Sequence, residues 1–164
     1  MENPPLTIAK LTEVNLTLLN FQQKGAGPDI ILIHGLFGSL ENLNMVAKHL
    51  ATSYRVTQVD VRNHGSSFHK NSMTYPELAQ DIIELMDHLA INQADILGHS
   101  MGGKVAMLFA VNYPDLVHKL IVADISPRFY PPHHQPILAA LNAVNFNLHN
   151  TRKKVEDVLK IYIS

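Results

Sequence analysis

The stretch Gly98-His99-Ser100-Met101-Gly102, taken with its two flanks, decides the fold of this chain. Residues 94–97 precede it with the strand-like sequence Ala-Asp-Ile-Leu, and residues 104–110 follow it with helix-forming residues. The stretch fits the pattern G-x-S-x-G, which is typical of a nucleophilic serine on a sharp strand-to-helix turn. Its two glycines remove side chains where the strand and the helix crowd together. The pattern therefore predicts that Ser100 is exposed at a helix N-terminus, where backbone N–H groups favour developing negative charge.

A second stretch, Ile30-Ile31-Leu32-Ile33-His34-Gly35-Leu36-Phe37-Gly38, begins as an unbroken apolar run and ends in a turn. The run is typical of a buried parallel strand. In folds that carry this serine turn, the loop after such a strand supplies the second oxyanion donor. We predict the backbone N–H groups of Met101 and Leu36 as the donors, with Phe37 as the alternative to Leu36. His34 precedes the nucleophile, so we interpret it as a buried structural residue bonded to the backbone.

Composition indicates a globular protein with a real core. The chain has 164 residues, of which 46% are hydrophobic and 16% are charged, and its formal net charge is −1. This charge favours neither nucleic acid nor a membrane surface as a partner. There is no cysteine and no visible signal peptide, so a cytoplasmic location is expected. No cofactor is predicted, and the pair His133-His134 lacks the further ligands that a metal site needs.

Hydrophobic periodicity predicts strands that alternate with helices, which indicates an α/β fold with a mostly parallel sheet and helices on both of its faces. The predicted strands cover residues 14–21, 30–33, 55–60, 94–98 and 117–124. The predicted helices cover residues 40–51, 74–90, 101–112, 137–145 and 151–163. We assign residues 1–127 to the core domain and residues 128–164 to part of a helical lid.

Three stretches together resemble a known family. They are His34-Gly35-Leu36-Phe37-Gly38-Ser39, Asp60-Val61-Arg62-Asn63-His64-Gly65 and Gly98-His99-Ser100-Met101-Gly102-Gly103-Lys104. Their order and spacing resemble those of α/β-hydrolase fold serine hydrolases, most closely the small bacterial YbfF-type esterases. The resemblance implies cleavage of small-molecule carboxylic esters or acyl thioesters through an acyl-enzyme intermediate on one serine.

The resemblance also assigns roles to single residues. It implies that Ser100 is the nucleophile and that Asp124, which follows the next strand, is the triad acid. Phe37 and His64 are predicted to contact the substrate, His64 because its loop is expected to border the pocket. Asp60 ends an earlier strand and is interpreted as structural, tying down its loop through Arg62 or Asn63.

The catalytic base has no clear candidate in this chain. In this fold it follows the triad acid, but the histidines after Asp124 (His133, His134 and His149) lack the family's Gly-His setting. Family members are longer, so we expect a chain truncated before the last strands, with very low turnover unless a partner completes it. The strand at 117–124 would then be an exposed edge through which chains associate. The alternatives are a carbon–carbon bond hydrolase or lyase on the same fold, and an inactive fragment.

Overall fold

The computed structural model describes residues 18–130 and 135–163, which divide into two compact units that separate after Pro127. The strands of the described residues are β1 (Phe21–Lys24), β2 (Asp29–Ile33), β3 (Arg55–Val59), β4 (Ala94–His99) and β5 (Val117–Ala123). The α-helices are α1 (Asn44–Leu50), α2 (Tyr75–His88), α3 (Met101–Asn112), α4 (Gln135–Ala143) and α5 (Arg152–Leu159). A short 3₁₀ helix, Leu40–Leu43, leads directly into α1, so the predicted helix at 40–51 has two parts.

The first unit is built on one twisted sheet with the strand order β1-β3-β2-β4-β5. Strands β2 to β5 run parallel to their neighbours, and β1 alone pairs antiparallel, with β3. After β2 the chain forms β3 on one side of it and then returns to form β4 on the other. The carboxyl ends of β2 and β4 therefore flank a topological switch point, the place where open α/β sheets form their ligand crevices.

Helices cover both faces of this sheet, which confirms the predicted fold class. On one face, α1 contributes Ala47 to a small cluster with Ile30, Leu32 and Val56. On the other face, α2 and α3 pack over the alternate residues of β2 and β3 in a larger cluster that includes Ile33. The unbroken apolar run of β2 follows from this burial on both sides, because alternate side chains of a strand point to opposite faces.

Helix α2 begins with a capping box, in which the first residues of the helix bind one another reciprocally. The Thr74 hydroxyl accepts the Glu77 N–H at 3.4 Å, and the Glu77 carboxylate accepts the Thr74 N–H at 2.7 Å. Two donors that the helix itself leaves unpaired are satisfied in this way. The apolar face that follows, with Leu78, Ile82 and Leu85, is fully buried.

The first predicted strand was placed wrongly. Residues 18–20 are not strand, residues 14–17 lie outside the described part of the chain, and β1 instead covers Phe21–Lys24. Its two central glutamines are exposed, so the segment lacks the apolar pattern of a buried strand. Pairing with β3 makes it a strand, and the side chain of Gln23 adds a hydrogen bond to Thr57 at 3.0 Å.

Strand β5 pairs only with β4 among the described residues and so lies at the edge of the sheet. Leu120 and Ile121 expose 40% and 41% of their surface there, as expected of an uncovered apolar edge. Association through this edge stays a prediction. In the second unit, α4 contacts α5, and their role as a lid also stays a prediction. None of the helices in the described ranges is both long enough and apolar enough to cross a bilayer.

Candidate active site

Ser100 lies in the turn between β4 and α3, as the sequence predicts. Its backbone has φ 53° and ψ −116°, a combination that residues other than glycine rarely adopt. The Ser100 N–H donates to the carbonyl of Ala123 at 2.9 Å, which ties the turn to the end of β5. The serine is thereby held, strained, beside the switch point of the sheet.

The glycines of the turn permit its tight packing. A Cβ on Gly98 would overlap the carbonyl of Gly102, and a Cβ on Gly102 would overlap the carbonyl of Ile33 in β2. Both obstacles are backbone, which cannot move aside as a side chain can. The predicted crowding between the strand and the helix is confirmed.

The turn after β2 lies against the serine. A Cβ on Gly35 would lie 3.2 Å from the Cβ of Ser100. The N–H groups of Leu36 and Met101 have no hydrogen-bond partner within residues 18–130 and 135–163. The Phe37 N–H, by contrast, donates to Nε2 of His64 at 3.2 Å. This pattern favours Leu36 over Phe37, although the donor assignment stays a prediction.

Asp124 directly follows β5 and brings its carboxylate to the same end of the sheet. Its side chain is 85% exposed, and its backbone has a positive φ of 57°. Its carboxylate lies 3.7 Å from Nε2 of His99, the residue that precedes Ser100. The role of Asp124 as the triad acid stays a prediction.

Two histidine rings are packed behind the turn after β2, with their centroids 5.2 Å apart. His34 is fully buried, its Nε2 accepts the Val61 N–H at 3.2 Å, and its Nδ1 donates to the Gly35 carbonyl at 2.7 Å. Burial lowers the pKa of His34, against the opposing effect of the Gly35 hydrogen bond. The structure confirms His34 as a buried residue bonded to the backbone, and its accepting Nε2 requires a neutral ring.

His64, predicted to contact the substrate, is only 9% exposed. Its Nδ1 lies 3.0 Å from the Arg62 carbonyl, and its Nε2 is occupied by the Phe37 N–H. Both ring nitrogens thus serve the protein backbone. Phe37 itself is 52% exposed beside the candidate site, where substrate contact stays a prediction.

Asp60 is structural, but its expected partners are wrong. Its carboxylate accepts the N–H groups of Leu40 at 2.7 Å and Ser66 at 2.8 Å, together with the Asn20 side chain. Burial alone would raise the pKa of Asp60, and these hydrogen bonds outweigh it and lower the pKa. Arg62 was expected to bind Asp60, but it makes a two-pronged ion pair with Asp81 of α2, with both distances 2.6 Å.

No histidine within the described ranges hydrogen bonds to the hydroxyl of Ser100. His149 is the one described histidine that follows Asp124, and its Nδ1 accepts the Asn145 N–H at 2.9 Å. His133 and His134 lie outside the described residues. The site therefore comprises a candidate nucleophile, two candidate donors and a candidate acid, with its base unassigned among the described residues.

Comparison with known proteins settles the family. Residues 28–160 match the family described as alpha/beta hydrolase fold. This chain belongs to that family. It is 36% identical over 153 residues to the esterase YbfF of Escherichia coli (strain K12), a match that covers 93% of this chain and 60% of that protein. It is 42% identical over 137 residues to the sn-1-specific diacylglycerol lipase ABHD11 of Mus musculus, covering 79% of this chain and 45% of the lipase.

The solved structure of a marine microorganism esterase superimposes with a TM-score of 0.85 at 40% identity, covering 90% of this chain and 59% of that one. The chain thus spans between 45% and 60% of the length of these three relatives. As an alpha/beta hydrolase, it carries its serine turn at the position where the fold places a nucleophile.

Sequence reasoning missed how the first two motif stretches meet. It treated the turn after β2 and the loop after β3 separately, whereas hydrogen bonds from Phe37 to His64 and from Leu40 to Asp60 join them. One sign of the contact was available, because both stretches contain polar residues, His34 in one and Asp60 and His64 in the other, that need partners when buried. Nothing in either stretch alone specifies the partner in the other.

Proposed function

We propose that this chain forms the nucleophile-bearing part of a serine hydrolase that cleaves carboxylic esters through an acyl-enzyme on Ser100. The observation that carries the proposal is the strained Ser100, which lies against a turn whose Leu36 N–H has no hydrogen-bond partner in the described part of the chain. The esterase and lipase names of the relatives support an ester as the bond that is cleaved. Acyl thioesters are a second substrate class within the same chemistry.

The proposed reaction has two steps. Ser100 Oγ attacks the acyl carbon while a base removes its proton, and the alcohol leaves with a proton from that base. Water then attacks the acyl-enzyme and releases the carboxylic acid and free Ser100. The Leu36 and Met101 N–H groups hold the oxyanion in both steps, and Asp124 orients the base. Removing one such donor typically costs about 2.7–4 kcal/mol of transition-state stabilisation.

Labelling with a fluorophosphonate probe tests the proposal. We expect wild-type protein to be labelled at Ser100, the Ser100→Ala variant to be unlabelled, and Asp124→Ala to be labelled more slowly. Ser53→Ala is the matched control, because Ser53 is exposed and lies outside the site. The experiment is run with and without added imidazole, which can take the place of the unassigned base.

The outcomes separate the readings. Labelling at Ser100 together with cleavage of p-nitrophenyl butyrate supports an esterase, and preference for the matching thioester selects the second substrate class. Labelling without cleavage of either substrate is the result expected of an inactive fragment, or of a carbon–carbon bond hydrolase or lyase. If folded protein is not labelled even with imidazole, or if Ser100→Ala is labelled equally, the serine hydrolase proposal is wrong.

A further inference from the structure

The loop after β3 reaches the backbone of Phe37, in the turn after β2, through the side chain of His64. The Phe37 N–H donates to Nε2 of His64 at 3.2 Å. Because Nε2 accepts, the ring proton lies on Nδ1, which donates to the Arg62 carbonyl at 3.0 Å. Both nitrogens of the neutral ring are thus used, and the ring is aimed at the turn.

The residue that accepts the Nδ1 hydrogen bond of His64 is itself anchored to helix α2. Arg62 is bound through two hydrogen bonds of 2.6 Å to Asp81, whose side chain is 4% exposed on α2. The Arg62 carbonyl in turn accepts the hydrogen bond from Nδ1 of His64. A continuous set of contacts therefore runs from helix α2 to the backbone of Phe37.

The turn after β2 needs contacts that fix its backbone, because one of its residues adopts an unfavourable conformation. Phe37 has φ 60°, a left-handed conformation that costs a side-chain-bearing residue free energy. Two successive peptide units of the turn are fixed by two histidines. His34 binds the Gly35 carbonyl, and His64 binds the Phe37 N–H.

These two bonds, together with the Gly38 N–H that the Gly35 carbonyl accepts at 3.1 Å, determine where the candidate oxyanion donor points. In a trans peptide unit the C=O and the N–H point in opposite directions, and this chain has no cis peptide in its described residues. Holding the Gly35 carbonyl toward His34 directs the Leu36 N–H away from it. Holding the Phe37 N–H toward His64 keeps the next unit from rotating and turning Leu36 with it.

We propose that His64 is a positioning residue for the oxyanion turn, and that it acts on the Leu36 N–H through the Phe37 backbone instead of contacting the substrate. The proposal rests on the proposed function for its catalytic consequence. It predicts that loss of the His64–Phe37 bond slows the chemical step on Ser100 equally for short and long acyl groups. A substrate-binding role predicts a change in probe affinity that depends on chain length.

Two amide substitutions separate these roles. In His64→Gln the side-chain oxygen reaches the place of Nε2 and still accepts the Phe37 N–H. In His64→Asn the shorter side chain keeps a donor for the Arg62 carbonyl but cannot reach Phe37. His69→Asn is the matched control, because His69 is an exposed residue of the same loop. Circular dichroism checks that each full-length variant is folded.

The first readout is independent of activity. In ¹⁵N-labelled protein, we expect a scalar coupling across the hydrogen bond between the Phe37 nitrogen and Nε2 of His64. Its absence in folded wild-type protein would overturn the proposal. We also expect the Leu36 amide resonance to move in His64→Asn and to stay near its wild-type position in His64→Gln.

The second readout is the rate of fluorophosphonate labelling with a short-chain and a long-chain probe. We expect the limiting rate for His64→Asn to fall about 10- to 100-fold for both probes, less than the roughly 10²–10³-fold loss for deleting a donor. His64→Gln and His69→Asn are expected to stay within about threefold of wild type, because the donor remains in place. A His64→Asn rate equal to wild type, or an effect on the affinity of one probe only, overturns the proposal.

If wild-type protein is not labelled, the proposed hydrolase function is wrong, but this result does not test the role of His64. The coupling and the Leu36 resonance then still decide the role of His64. An unshifted Leu36 resonance in folded His64→Asn would show that the histidine does not position the turn. If His64→Asn does not fold, the coupling in wild-type protein and the Leu36 resonance in His64→Gln decide whether His64 positions the turn.

Discussion

Replacing Ser100 by glycine is expected to make the protein more stable than replacing it by alanine. Both variants lack the hydroxyl and keep the backbone N–H that binds Ala123. They differ in how well they tolerate φ 53° and ψ −116°. Such a conformation costs a residue with a Cβ about 1–3 kcal/mol, and glycine avoids most of that cost. Glycine also gives up more chain entropy on folding, which offsets about 0.5–1 kcal/mol.

The two ranges give Ser100→Gly an expected net advantage over Ser100→Ala of about 0–2.5 kcal/mol, centred near 1 kcal/mol. For a chain of this size, an advantage of about 1 kcal/mol raises the melting temperature by about 2–4 °C. Thermal unfolding followed by circular dichroism measures it, with urea unfolding as a second measure. Ala51→Gly is the control, because Ala51 has an ordinary φ of −63°. Glycine relieves no strain there, so this variant is expected to lower the free energy of unfolding by about 0.5–1 kcal/mol. If Ser100→Gly melts at or below Ser100→Ala, the turn is not strained and the reasoning fails.

Two further outcomes follow from charged groups. Asp81→Ala removes the two-pronged partner of the buried Arg62 guanidinium and leaves it the Glu77 carboxylate at 3.3 Å and the backbone carbonyls of Ser72 and Glu77. This change is expected to lower the free energy of unfolding by about 3 kcal/mol. Arg152→Ala, which breaks the exposed pair with Glu156, is expected to change it by less than about 0.5 kcal/mol, and equal losses in urea unfolding would contradict the distinction. Hydrogen bonds from Ser72 and Thr74 lower the pKa of Glu77 from 4.5 to about 2. Its contribution to stability is thus fully present above pH 4.5 and is lost as the pH falls toward 2. Glu77→Gln is expected to flatten the dependence of the melting temperature on pH in that window, and an unchanged slope would count against these contacts.

Local patterns in the sequence were sufficient for much of the fold. The capping box at Thr74 and Glu77 marks the start of α2, because a cap involves residues only three positions apart. The buried run of β2 and the turn at Ser100 were likewise recognisable from adjacent residues. By contrast, the polar segment of β1 gave no such signal, because an edge strand is defined by the neighbour with which it pairs.

The sequence by itself determined the family, the strand–turn–helix that carries Ser100, and the place of Asp124 after the next strand. Each of these depends on short-range order, since backbone geometry and hydrophobic periodicity act over a few residues. Tertiary structure alone decided the partners of Asp60, the ion pair of Arg62, and the bond between His64 and Phe37. Those contacts join residues that folding brings together from separate segments. A buried polar side chain must find a partner, but its own sequence does not say which one.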